Sequence, residues 1–272
     1  MTHSEKKLPV DLLTVFGIAL LVVSLNVTKH EAVHALTCFV TGGTMLEFSA
    51  QHIHCASLSV TAGKWVSASS AIVDLLIGIG LYRWLQKPRG VDAPTKFAIW
   101  LFTLASLTGG AGYLAFSGII GIGDYANVIE GWQPEWLWRT LMSIVGLILF
   151  TLCVAAALKL VGQFIGGTDK KEQVGRLQRV GMTAYVGSIV PAVAAGFFNE
   201  YGITGLPAVA GIVAVLGAGS PLLWMAQWFQ ADMFEKRSSI TNLTFERSWT
   251  YIIAGLIAVS LYAFVLGPGI KF

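Results

Sequence analysis

The residues best able to do chemistry in this chain sit within five positions. His30-Glu31-Ala32-Val33-His34 reads H-E-x-x-H inside a long apolar run. On a helix, residues four apart lie on one face, about one turn from each other. Two imidazoles so placed can bind the same zinc ion, whereas a spacing of two would point them to opposite sides. Glu31 projects beside that metal. From there its carboxylate can take a proton from a water on the zinc and hand it to a leaving amine. Ionisable groups inside a membrane span are costly unless paired, hydrated or metal-bound, so inert placement is the weaker reading.

A catalytic zinc usually takes three protein ligands and leaves one position for water. The best third ligand is Asp124, in Gly121-Ile122-Gly123-Asp124-Tyr125. His30 lies about 32 Å of helical rise into its span, which puts it near the same side as Asp124. The glycines around Asp124 let the backbone bend and approach closely. The bland alternative is an interfacial Asp at the start of a short helix. His52 and His54 are competing ligands, since they fall near the same surface and imidazole is the commonest metal ligand. Asp74 is a further anomaly, a carboxyl near the middle of a second apolar run. It can orient a metal-bound imidazole from behind, hold substrate backbone, or sit protonated against a neighbouring helix.

These groups need elements to position them. Of 272 residues, 55% are hydrophobic and 12% charged, and mean hydropathy is +0.69. Soluble domains carry about 25% charged residues. The composition therefore excludes a disordered protein, a coiled coil and an ordinary cytosolic enzyme, and a net charge of +3 suggests no nucleic-acid partner. An all-α polytopic membrane protein is expected. Seven apolar stretches are long enough to span, near residues 9–40, 63–86, 95–122, 136–161, 179–199, 205–230 and 249–268. Pro191 and Pro221 are expected to kink their helices. Between the first two spans, 43–60 alternates as a short β-hairpin does. The segment 166–179 reads as a solvated loop. Cys38, Cys55 and Cys153 show no pairing pattern, so no disulfide is expected.

Charge in the loops orients the chain. Lys6 and Lys7 precede the first span. Arg83, Lys87, Arg89 and Lys96 follow the second. Lys159, Lys170, Lys171, Arg176 and Arg179 follow the fourth, and Lys236, Arg237 and Arg247 follow the sixth. The alternate loops are mostly acidic. The positive-inside rule then gives a cytoplasmic N-terminus and an exterior C-terminus, with the histidines toward the exterior.

His-Glu-Ala-Val-His-Ala-Leu near the end of an apolar span, then Thr41-Gly42-Gly43 and a hairpin-like stretch, resembles the site-2 protease-like intramembrane zinc metalloproteases (peptidase family M50). Ala71-Ile72-Val73-Asp74-Leu75-Leu76-Ile77-Gly78 is similar to that family's segment of small residues, a polar residue and an apolar run, with Asp74 where the family usually has Asn. The resemblance covers about residues 20–130. It implies a zinc core over 1–130 and an accessory bundle of about four spans over 131–272, within one integrated domain. It implies zinc held by His30, His34 and Asp124, with Glu31 as general base. The implied substrate is a peptide bond of a membrane protein or peptide in or beside the bilayer. Two other readings share the composition. One is a non-proteolytic zinc hydrolase or metal-binding membrane protein. The other is a transporter that uses Asp74 for coupling.

Overall fold

The computed structural model describes residues 10–57, 59–87, 90–166, 169–231 and 245–272. Lys6, Lys7, Arg89, Lys236 and Arg237 lie outside the described residues. Seven helical segments are long and apolar enough to cross a bilayer, and the fold is helical with one small sheet. The first is α1 (Leu12–Val40), started by Asp11, whose side chain accepts from Thr14 N. After the hairpin come α2 (Val60–Leu85) and α3 (Ala93–Ile120). A short α4 (Asp124–Ile129) leads to α5 (Glu135–Leu160), extended by a 3-10 turn to Gln163. Then follow α6 (Lys170–Phe198), α7 (Leu206–Gly219), α8 (Pro221–Gln230) and α9 (Trp249–Leu261).

The hairpin is β1 (Thr44–Phe48) and β2 (Ile53–Ala56), antiparallel, with Met45 opposite Cys55 and Phe48 opposite Ile53. A third strand, β3 (Ile270–Lys271), pairs on the other edge of β1, so the order is β2-β1-β3. The sheet caps the Val40 end of α1. Ala50 N donates to Leu266 O at 2.8 Å, and the Tyr262 hydroxyl donates to Ala50 O at 2.5 Å. The hairpin turn is thus held down onto the bundle by the last helix.

Two sequence expectations are corrected. Cys38 and Cys55 form a disulfide. They are 17 residues apart and no local pattern links them; folding the hairpin back over the end of α1 brings them together. The segment 166–179 is not a solvated loop, because α6 already starts at Lys170. Asp169 caps it by accepting from Glu172 N at 2.8 Å, and Arg176 is buried, paired with Glu172 at 2.7 Å. The sixth span is two helices that meet at Ser220, with Pro221 in the first turn of α8, where its missing N–H costs nothing. Pro191 lies within α6, which is helical from Lys170 to Phe198.

α1 is the hub, packed on α2, α3, α6 and α9. At its Leu12 end an aromatic core of Phe97, Trp100, Phe164 and Phe245 fills the bundle, and Trp100 Nε1 donates to Ala157 O at 2.9 Å. Nearer the other end, α2 and α3 approach closely. A Cβ at Gly110 would stand 2.6 Å from Ala71 O, and one at Gly78 would stand 2.7 Å from the Leu107 side chain. That contact fixes the depth at which Asp74, on α2, faces α1.

Candidate metal centre

The period of α1 sets His30 and His34 on one buried face, with their rings edge to face at 4.9 Å between centroids. Each ring is fixed from behind. His30 Nδ1 donates to Asp74 Oδ2 at 2.8 Å, and His34 Nδ1 donates to Val66 O at 2.6 Å. With a carboxylate and a carbonyl as acceptors, both rings carry a proton on Nδ1, so Nε2 is the atom that each turns toward Asp124. Ser70 donates to His30 O at 2.5 Å, which locks α2 in register against α1. Tyr113 of α3 stacks on the His30 ring at 5.1 Å.

Asp124 arrives from the opposite side. α3 ends in Gly121, at φ 79°, and Gly123 at φ 92° starts α4. These left-handed turns suit glycine and carry the first residue of α4 back toward α1. Asp124 Oδ2 lies 3.2 Å from His30 Nε2 and 3.4 Å from His34 Nε2. Burial raises the Asp124 carboxyl, but the His34 and His30 imidazoles beside it hold it well below the ordinary carboxylate value. It is an anion at any pH near neutrality.

The donor set suits a small divalent ion. For zinc bound to N and O at about 2.0–2.1 Å, ligand atoms of a tetrahedron stand about 3.3 Å apart. The two spacings to Asp124 bracket that value. Among the described residues, His30, His34 and Asp124 are the group able to present ligand atoms to one ion, all within 4.8 Å of one another. Asp74 is not in it, because its carboxylate faces His30 Nδ1 and Lys29. His52 is engaged with Ser49 Oγ at 2.8 Å, and His54 is exposed on β2. Neither joins the cluster.

Lys29 is the residue that sequence reasoning passed over. Its Nζ lies 2.6 Å from Asp74 Oδ1, 2.9 Å from Asn26 Oδ1 and 3.1 Å from Ser106 Oγ. A lysine inside an apolar span carries the same signal that singled out Asp74. A single chain of contacts therefore runs from Lys29 through Asp74 and His30 to Asp124.

Glu31 is buried beside this cluster and lines a cavity of about 280 Å³ with His30, Asp74 and Gln51. The rest of the wall is mainly apolar and comes from α1, α3, α5 and α7, with Ser188 of α6 and Leu222 of α8. No protein-family model, curated protein or solved structure matches this chain.

Proposed function

We propose that the chain is a membrane-embedded zinc metallopeptidase that hydrolyses peptide bonds in or next to the bilayer. The observation that carries the reading is the convergence of His30 Nε2, His34 Nε2 and Asp124 Oδ2, with both Nδ1 atoms already committed to acceptors behind the rings. His30, His34 and Asp124 would hold the ion. When bound, zinc supplies Lewis acidity, which lowers the pKa of water and polarises a carbonyl.

The protein's own groups do the rest. Glu31 takes a proton from the attacking water on its carboxylate and returns it to the leaving amine nitrogen. Asp74 and Val66 O keep the imidazoles oriented and in one tautomer. Lys29 balances the Asp74 charge at a depth where an unpaired carboxylate would be costly. A substrate helix must unwind before its bond is reached, since its carbonyls are otherwise bonded within the helix. β1 is paired on both edges, so the outer strands β2 and β3 have the free edges, and β2, four residues long against two, is the one that offers an extended segment the longer edge.

The same reading sets the N-terminus in the cytoplasm and the site toward the exterior. Arg83, Lys96, Lys159, Lys170 and Lys171 lie in the terminal turns of helices at their ends on the Leu12 side, and Lys87 lies just beyond one such end. The Cys38–Cys55 disulfide sits at the other end, and such bonds persist in oxidising compartments. A second reading, a zinc hydrolase for a non-peptide amide, is favoured by the apolar walls of the cavity. The experiment that tests the first is cleavage of membrane peptides by the reconstituted protein against Glu31→Gln. Loss of cleavage with zinc retained supports it; equal cleavage by both proteins refutes the role of Glu31.

A further inference from the structure

The cavity beside Glu31 is built for something narrower than a polypeptide. Along α1 its wall runs from Val23 to Glu31, roughly 12 Å at the helical rise. It continues between Leu104, Phe150 and Val215. Several of the polar groups along that depth are already used. Asn26 Oδ1 accepts from Lys29 and Ser106, Asp74 serves Lys29 and His30, and the Thr108 hydroxyl donates to Leu104 O. An extended peptide laid there would bury unpaired N–H and C=O groups at every residue, which is costly away from water. A hydrocarbon chain carries no such cost.

An unpartnered amide oxygen lies at the hairpin end of the cavity. Gln51, at the hairpin turn, donates through Nε2 to Ala192 O at 2.9 Å, which fixes its amide with Oε1 on the other side. That Oε1 is buried and has no partner. Gln51 lines the same cavity as Glu31. It offers one acceptor, enough for one N–H. The cavity also has a side entrance from lipid. Leu147 of α5 and Val213 of α7 both line it, yet remain 52% and 43% exposed.

We infer that this cavity is a hydrocarbon-chain subsite, and that the substrate is an amide bearing a medium-length acyl or alkyl chain which enters between α5 and α7, with its N–H accepted by Gln51 Oε1. The inference rests on the hydrolase reading for the position of the scissile bond. The chain comes from a fatty-acid amide or from an acylated peptide, and both share this chemistry.

The test is metal-independent. The full-length protein in nanodiscs is photolabelled with decanamide bearing a diazirine at the chain end. Expected are crosslinks on Leu104, Phe150 and Val215, and at least tenfold less labelling there in Gly112→Leu. Gly112 lines the cavity, and a Cβ there stands 3.5 Å from the Phe150 ring of the same wall, an ordinary contact distance, so the new side chain occupies the subsite without a backbone clash. Unlabelled decanamide competes and acetamide does not. Stronger competition by N-decanoylethanolamine names a lipid source; stronger competition by N-decanoyl-trialanine names an acylated peptide. Labelling confined to outward residues such as Leu76 and Ile257 overturns the proposal. So does competition by an acetylated trileucine amide equal to that by decanamide, because that result assigns the cavity to a peptide. The His30→Ala/His34→Ala protein keeps the internal crosslinks. If the wild type binds no zinc yet keeps them, the hydrolase reading fails and the chain subsite stands.

Discussion

Asp74 accepts a hydrogen bond from His30 Nδ1 at 2.8 Å with its side chain only 2% exposed. It is the hinge of the account, since one carboxylate joins the buried cation Lys29 to a candidate metal ligand. Asp74→Ala is expected to lower zinc affinity about 10- to 100-fold, the usual cost of losing such an orienting partner. Competition against a fluorescent chelator reads this directly. Asp74→Asn, which keeps an acceptor, should lose less. Equal affinity in Asp74→Ala and wild type contradicts the orienting role.

Glu31→Gln should reduce cleavage about 10²- to 10⁴-fold, the range for removing a general base, while zinc content stays at the wild-type level. Parallel loss of metal and activity would instead make Glu31 part of the metal's binding set.

Zinc occupancy should fall as pH is lowered from roughly 8 to 5, because imidazole binds the ion only when neutral. Asp124 does not contribute in that window. Its folded value lies below the ordinary 3.8, so its stabilising charge is present above that value and is lost only as pH falls through the folded one. Asp124→Asn should lower affinity throughout that window, because it removes one anionic ligand. Affinity equal to wild type in a chelator titration contradicts this.

The Cys38–Cys55 disulfide closes a loop that contains most of the hairpin. For a loop of about this length the stabilisation is about 3 kcal/mol. Cys38→Ser should lower the thermal midpoint of the detergent-solubilised protein and expose the 44–56 segment to protease. An unchanged digestion pattern would mean that the bonds to Tyr262, Leu266 and Ala192 hold the turn without the disulfide.

Gly110 lets α2 and α3 meet, and Gly110→Val forces its side chain onto Ala71 O. A loss of about 1–3 kcal/mol is expected from overpacking. Because this contact sets the depth of Asp74, zinc affinity should fall with it. A stable variant with unaltered affinity would uncouple the two.

Much of this was legible in the residues. Runs of apolar residues announce the spans, since length and hydropathy suffice in lipid. The four-residue spacing of His30 and His34 follows from helix period alone. What lay beyond reach depends on contacts distant in sequence. Cys38 meets Cys55 because the hairpin folds back. β3 pairs through two residues, too few to show alternation. The 170–179 segment looks polar by composition, yet Asp169 starts a helix there and Glu172 pairs with the buried Arg176. Lys29 was visible as a charge in an apolar run, but its partners come from α1, α2 and α3 together.

The most direct measurement is metal analysis of the purified, zinc-replete protein combined with zinc-edge X-ray absorption. One zinc per chain is expected, with nitrogen and oxygen ligands at about 2.0–2.1 Å and no sulfur, and loss of the ion in His34→Ala and Asp124→Ala. A wild-type protein that retains no zinc, or one whose zinc survives both substitutions, would contradict it.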